Sequence, residues 1–587
     1  MDDAKTPAWP VTSFDEARRI LTGPGMPYEM KTMTIRGRPT RVYINSPTTL
    51  RAVFDMSKQW AEREFIVYEG ERLRYDEHYR AVSALARVFT ETYGVRKGDR
   101  IAIAMRNLPE WSIAFWAAVS IGAVAVAINA WGTGGDLEYA LSDSEAKVAL
   151  VDAERLARLE PELGKAALSG LVAVRTPREA LGSADALEDL IGPPSGYAAL
   201  PDLPPPDNAI EPEDDATIFY TSGTTGRPKG ALGTHRNIMT NLVNLGYSSA
   251  RAMVRRIGAP APVDPSPPQR VSLLPVPFFH VTGCHSMLLP SLAAGSKIVL
   301  MYKWIPERAL ELIEQEKVNG MTSVPAMVWQ LLESPSFATR DLSSFEGLTY
   351  GGAAAAPELT QKAKALFPAS WPGQGYGATE TSSVAAANTG EDYLQRPDSV
   401  GLPPPVNDIK IVDPDGNVLP VGGVGEICIY GPNVVKGYWQ KPEATEAAFV
   451  DGWYHTGDVG RLDEKRLHLS DGPDQGHADP RRREYLLRRD RGRPIRTPGG
   501  DGGGGGRYPR PHPGRGGRRG GAHPARRPRH RGRTARSRRQ APGRAQDPSA
   551  GRHPQRRTAA QRQWQDAEER YPRRAARPGQ GIGTVRP

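Results

Sequence analysis

Residues 221 to 230, TSGTTGRPKG, hold the residue types best suited to chemistry in this chain. Thr221, Ser222, Thr224 and Thr225 are small hydroxyl residues, interleaved with Gly223 and Gly226. Glycines let backbone N–H groups come close to a ligand and hydroxyls add donors, so such a loop can wrap a polyphosphate. Lys229 adds a compact positive charge. This is not a Walker A loop, in which Gly-Lys-Ser/Thr comes last, because Gly230 follows Lys229. An ordinary Ser/Thr/Gly turn has the same composition, but here strand, loop, lysine and helix arrive in the order a phosphate site needs.

The elements that must position this loop are legible on either side of it. ATIFYT is an apolar strand-like run leading in, and ALGTHRNIMTNLVNL reads as strand, turn and helix leading out. Upstream, Tyr79, Val82, Leu85, Ala86 and Phe89 recur at helical spacing, Gly94 stops that helix, and IAIAM is a short buried strand. PEWSIAFWAAVSIGAVAVAINA repeats helix then strand, and VALVD at 148 to 152 is another strand. Such alternation predicts a parallel sheet with helices on both faces, and Trp111, Phe115 and Trp116 as core. IPERALELIEQEKVNGMTSVPAM reads as an amphipathic helix, a glycine stop and a strand ending at Pro325. LTYGGAAAAP at 348 to 357 is a strand, a small-residue turn and a helix begun by Pro357; Gly352, Ala353 and Ala354 would let a flat ring lie against backbone, as would suit an adenine wall and the floor of an acyl pocket, and would equally serve a tight packing turn. Residues 1 to about 70 are a mixed lead-in with several short helical patterns, in one of which Ser13 can cap SFDEARRIL.

Several motifs together resemble the adenylate-forming superfamily: acyl-CoA synthetases, luciferases and peptide-synthetase adenylation domains. TSGTTGRPKG is similar to its phosphate loop, GQGYGATET at 373 to 381 to its YGxTE motif, and GPNVVKGYW and WYHTGDVGRLDE to two later blocks, in the family's order from roughly Arg72 to Glu464. The chain looks most like a fatty-acid–CoA ligase. The resemblance implies an α/β fold: two sheet-and-helix subdomains plus a smaller β-rich unit, the large N-terminal region of such enzymes. It implies ATP, Mg²⁺ and coenzyme A, with a small-molecule carboxylic acid as substrate. Site roles follow from the same resemblance. Within Gly375, Tyr376 and Gly377 the tyrosine would stack on adenine, Thr379 would contact phosphate, and Glu380 with Thr225 would hold Mg²⁺. Asp458 would accept from the ribose hydroxyls, and His280, in PxFH, would line the acyl channel; His285 has no such support. Lys229, Glu380 and His280 are then the catalytic set. An aromatic face does suit a purine, and a hard cation does want a carboxylate oxygen.

Composition bounds the rest. Across 587 residues there are 2 cysteines, too few for a disulfide framework or a zinc site, so a reducing cytoplasm is expected. The start, MDDAKTPAWP, has no charged-then-apolar signal pattern, and the apolar run Ile113 to Ile128 reads as a buried helix feeding a strand rather than a membrane span. The net charge of +10 is uneven: from Lys465 onward 32 Arg and one Lys face 10 acids, about +23, leaving about −13 for Met1 to Glu464. The acidic body offers no basic surface for nucleic acid.

Past Glu464 the resemblance stops. Three regions are expected: the lead-in 1–70, the adenylate-forming region 71–464, and 465–587. The family expects a hinge and a small C-terminal domain carrying a lysine for the adenylation step; the chain instead reads KRLHLSDGPDQGHADPRRREYLL, then Arg, Gly and Pro without pattern. Apolar residues nearly vanish, so at face value this is a disordered basic tail. A one-base frameshift would account for it: Glu464-Lys465 permits a run of adenines, and shifting by one base lets the following codons encode NGYIYLTDRTKDMLIRGGENI. The codons for TAAQRQWQDAEERYPR likewise permit LPRNANGKMLKRDIR, with the missing lysine straddling Gln565 and Asp566. Two other functions compete. A nucleic-acid-binding protein could act through the tail, although few aromatics interleave its arginines. An amino-acid adenylation module would share the motifs, although no carrier domain follows.

Overall fold

The computed structural model describes residues 9–164, 167–221, 227–262, 264, 266–352, 355–464 and 467–469. All of them lie in one compact unit. Ser222 to Gly226, Ala353 and Ala354 lie outside the described residues, as does nearly all of the chain after Glu464.

Two eight-stranded sheets and a five-stranded sheet carry the body. The first runs Gly437–Tyr438, Lys229–Thr234, Asp215–Thr221, Val124–Ala127, Arg100–Ala104, Ala146–Asp152, Gly170–Val174, Asp185–Ala186. Its Val124–Asp152 centre is parallel, as the helix–strand alternation predicts, while Lys229–Thr234 folds back antiparallel on Asp215–Thr221. The second runs Ser383–Thr389, Trp371–Ala378, Gly347–Tyr350, Gly320–Ser323, Val271–Leu274, Lys297–Leu300, Glu64–Tyr68, Glu71–Arg74. The third orders Asp408–Val412, Val424–Tyr430, Trp453–Leu462 and Phe449–Val450, with Leu467–Leu469 pairing Trp453–Leu462. This is the expected pair of sheet-and-helix subdomains with a β-rich unit.

Helix Pro109–Ser120 is buried throughout; Trp111, Phe115 and Trp116 are core, as their spacing predicts. Ser13 accepts from the Glu16 N–H and caps Phe14–Thr22. Helix His235–Ile257 leaves the Lys229–Thr234 strand with no intervening turn, because Thr234 is itself the N-cap in a box with Asn237. Near its other end Arg255 makes a two-pronged buried ion pair with Asp392 at 2.7 and 2.9 Å, joining the helix to the short helix Glu391–Gln395 that follows strand Ser383–Thr389 of the second sheet.

Two local expectations are corrected. Helix Pro306–Glu316 ends on Lys317, in the left-handed conformation at φ 51°, so Gly320 opens the next strand rather than stopping the helix. That strand ends at Ser323 and Pro325 begins a helix, where a ring with fixed φ and no N–H is at home. The mixed lead-in carries strands as well as helices. Met30–Ile35 and Arg38–Tyr43 form a hairpin whose Arg36-Gly37 turn has φ 47° and 77°, and Glu64–Tyr68 belongs to the second sheet.

Two strand reversals place loops for a ligand. Arg100–Ala104 lies between Val124–Ala127 and Ala146–Asp152, and Val271–Leu274 lies between Lys297–Leu300 and Gly320–Ser323. Outside the carboxyl ends of such strands neighbouring loops part and leave a crevice. Here the two sets of loops are stitched together: the Asn107 side chain donates to Val276 O and accepts from Phe278 N, both at 2.9 Å.

Candidate active site

Strand Asp215–Thr221 and its partner Lys229–Thr234 present the two ends of the hydroxyl-rich loop side by side, with Thr221 opposite Lys229. The Thr221 hydroxyl donates to the Lys229 carbonyl at 3.4 Å. Gly437–Tyr438 pairs along the far edge of Lys229–Thr234 and brings Tyr438 to the lysine, whose Nζ lies 5.1 Å from the ring centre. The Tyr438 hydroxyl donates to Glu380 Oε1 at 2.8 Å. Burial pushes the Tyr438 phenol up, so it stays protonated and donates.

Glu380 is fully buried in the short helical turn Thr379–Thr381 that ends strand Trp371–Ala378. Its backbone carbonyl accepts from Val435 N at 3.0 Å, so the 431–439 block grips Glu380 through both main chain and side chain. Arg36, at the tip of the N-terminal hairpin, donates to the Val434 and Val435 carbonyls at 2.8 Å each and fixes that block in turn.

Tyr376 is buried, and its hydroxyl donates to Asp458 Oδ2 at 2.9 Å. Asp458 is held from behind: its N–H donates to Thr456 Oγ1 at 3.0 Å, and Gly457 N donates to Glu426 Oε1 at 2.9 Å. Gly377 is obligatory, because a Cβ there would lie 1.6 Å from the Ser383 carbonyl oxygen; at Gly375 the nearest atom would be 3.5 Å away.

His280 caps the short helix Val281–Gly283, with its ring 6.1 Å from Trp131 and 4.9 Å from Phe279. Thr282 reaches the loop after Gly347–Tyr350: a Cβ at Gly351 would sit 3.8 Å from its Cγ2. Gly352, at φ 75°, faces Val324.

Thus Lys229 and Glu380 meet through Tyr438, Tyr376 meets Asp458 directly, and His280 lies on the side that carries Thr282 and Gly351. Thr379 is half-buried at the start of the turn that carries Glu380. Ser222, Gly223, Thr224, Thr225, Gly226, Ala353 and Ala354 lie outside the described residues. Tyr438 and Trp131 are contacts that the sequence did not assign. Tyr438 stood in the GPNVVKGYW block, where an aromatic after Lys-Gly was the available signal; Trp131, after a buried strand, carried none.

No group of three or more His, Cys, Asp or Glu among the described residues could enclose a metal ion. A cation such as Mg²⁺ that is held by one carboxylate and by a ligand's phosphates needs no such cluster, and Glu380 is a buried carboxylate joined through Tyr438 to the neighbourhood of Lys229. No helix among the described residues is long and apolar enough to cross a membrane.

Residues 53–439 match the family model described as AMP-binding enzyme. Among curated relatives, a feruloyl-CoA synthase from Amycolatopsis sp. is 32% identical over 394 residues, 67% of this chain and 72% of that protein. A long-chain-fatty-acid–CoA ligase from Escherichia coli is 28% identical over 456 residues, 73% and 77% of the two chains. Among solved structures, the inhibitor-bound N-terminal domain of FACL13 from Mycobacterium tuberculosis superposes with TM-score 0.62 at 26% identity, over 72% of this chain and all of that domain.

Proposed function

The chain belongs to the AMP-binding enzyme family, as an adenylate-forming acyl-CoA ligase, and we propose that its acid substrate is a fatty or aryl-aliphatic carboxylate activated at the site built around Tyr438. ATP and coenzyme A are the co-substrates of this enzyme class. In the first step a carboxylate oxygen attacks the α-phosphorus of ATP; the bond to the bridging oxygen breaks and pyrophosphate leaves with its electron pair. In the second, the acceptor's sulfur attacks the acyl carbon, the thiol proton is lost, and AMP leaves.

Each residue has a part in that chemistry. The 221–226 loop and Lys229 would cradle the phosphates and offset the charge that repels an incoming carboxylate. Bound Mg²⁺ would neutralise phosphate charge, held by Glu380 and Thr225. Tyr376 would present its face to adenine and Asp458 would accept from the ribose hydroxyls, positioning the α-phosphorus. Gly352, Ala353 and Ala354 would form the wall against which the ring lies. His280 would line the acid's channel. The segment after it is apolar, with Val281, Met287 and Leu288 buried, which supports a fatty or aryl-aliphatic acid. Arg106 lies 5.7 Å from the Trp131 ring centre and 5.2 Å from that of Tyr302, outside the Arg100–Ala104 strand end; a cation between aromatic faces there suits the approach of a phosphorylated thiol.

The chain as written lacks the adenylation lysine expected after Glu464, and we assign residues 465–587 to an out-of-frame reading of the C-terminal domain. It then binds ATP and adenylates poorly. The observation that carries the function is the meeting of Lys229 and Glu380 on Tyr438, a cation and a carboxylate spaced by a ring at the mouth of a hydroxyl-rich loop. Calorimetric titration of the full chain with Mg·ATP and with AMP tests it: saturable binding that weakens in Lys229→Ala and Asp458→Ala is expected, and a folded chain that binds neither nucleotide contradicts it.

A further inference from the structure

His285 is buried in a single π-helical turn, Cys284–Leu288, five residues past His280. Its Nδ1 lies 3.1 Å from the Ser382 carbonyl oxygen, two residues after Glu380. A carbonyl only accepts, so Nδ1 carries the proton and Nε2 is a bare lone pair, without a partner among the described residues. The ring packs edge-on against Phe219, 4.9 Å between centres, on the strand that enters the hydroxyl-rich loop. Burial holds the imidazole neutral, with its pKa lowered to about 4.

The segment His285 grips is strained. Ser382 and Ser383 adopt φ 54° and 114°, which residues with a Cβ avoid unless their surroundings impose it. Here the surroundings impose it several times over. Ser286 Oγ lies 2.6 Å from Ser383 Oγ. Asn241, on the helix after the loop, donates to the His285 carbonyl at 3.2 Å and accepts from Val384 N at 2.9 Å. Asn433 donates to the Thr381 carbonyl at 2.9 Å, and Ser382 Oγ donates to the Asn433 carbonyl at 3.0 Å. His285 thus touches the strand before the loop, the helix after it, and the turn carrying Glu380. An apolar side chain would fill the same space without a donor.

We infer that His285 is a positioning residue of the nucleotide site, its Nδ1–H fixing the Ser382 carbonyl and thereby the Thr379–Ser383 turn that presents Thr379 and Glu380. The inference rests on the nucleotide reading of the site. Asparagine can place an N–H near the Nδ1 position, whereas glutamine places its amide farther out, near Nε2.

The full chain and its His285→Asn, His285→Gln and Ser286→Ala variants are titrated with AMP and with Mg·ATP by calorimetry, and each is melted. His285→Gln is expected to bind Mg·ATP about ten-fold more weakly, the scale of one well-placed hydrogen bond, with His285→Asn within about three-fold of wild type. Ser286→Ala, which removes only the contact to Ser383, is expected to weaken binding about three-fold and guards against a His285 variant that does not fold. A folded His285→Gln that binds like wild type, equal losses in the Asn and Gln variants, or, if the His285 variants do not fold, a Ser286→Ala that binds like wild type would overturn the inference. A folded wild type that binds no nucleotide overturns the functional reading and this inference with it, a result distinct from a wild type that binds and variants that do not differ.

Discussion

The Tyr438 hydroxyl donates to Glu380 Oε1 at 2.8 Å while the Lys229 ammonium lies 5.1 Å from the centre of the same ring. One aromatic residue therefore links the lysine that follows the hydroxyl-rich loop to the buried carboxylate of the Thr379–Thr381 turn, far away in sequence. Tyr438→Phe keeps the ring beneath Lys229 and removes the donor. Calorimetry is expected to show Mg·ATP binding weakened about five- to ten-fold, with a stability loss of about 1 kcal/mol in urea titration. Unchanged affinity would mean that the Glu380 contact has no part in binding Mg·ATP.

Tyr376 and Asp458 separate two kinds of loss. Tyr376→Phe gives up only the hydrogen bond to Asp458 and keeps the aromatic face; Tyr376→Ala gives up both. Titration with AMP is expected to show about a three-fold loss for Phe and a loss at least about five-fold larger for Ala, since a stacked base contributes ~1–3 kcal/mol. Equal losses would place the adenine elsewhere.

Gly377→Ala would set a methyl group 1.6 Å from the Ser383 carbonyl oxygen, a clash with backbone that no rotamer relieves, whereas at Gly375 the nearest atom is 3.5 Å away. Urea unfolding is expected to show Gly377→Ala destabilised by ~3 kcal/mol or more and Gly375→Ala by less than ~1 kcal/mol. Equal stability of the two variants would contradict the close approach of the two strands.

The runs at 221–230, 373–381 and 453–464 are contiguous, so the helix–strand alternation of the first sheet was legible from the residues and the two subdomains with their β-rich unit from the resemblance those runs carry. Contacts made across the fold were not. His285 pairs with Ser382 and Tyr438 with Glu380, each at a separation that no periodicity encodes. The Met30–Tyr43 hairpin was missed because its half-exposed strands mix Lys, Thr and Arg with few apolar residues, leaving only Arg36-Gly37 to mark the turn. Lys317 ended a helix where glycine was expected, since an unbranched side chain can take the left-handed conformation at a cost of about 1–2 kcal/mol.

Acid should unfold the protein through its buried imidazoles. Burial lowers His78 to about 3 and His235 and His285 to about 4, against an unfolded value near 6.5. Between those values the unfolded state binds more protons, so stability is full above pH 6.5 and falls as pH drops toward 4. Each imidazole contributes a slope of about 1.4 kcal/mol per pH unit. Urea midpoints measured from pH 7 to 4.5 are expected to fall, less steeply in His285→Asn; a flat profile would mean these rings are protonated in the folded state.

The most direct measurement is acid-dependent pyrophosphate release by two proteins side by side: the chain as written, and the chain expressed after removing one adenine within the codons for Asp463 to Arg466. A panel of fatty and aryl-aliphatic acids is supplied with Mg·ATP. The restored protein is expected to release pyrophosphate only when an acid is present, and the chain as written to bind ATP while releasing at least about a hundred-fold less, the scale lost with a residue acting on the transition state. A folded restored protein that releases no pyrophosphate with any of these acids would contradict the account.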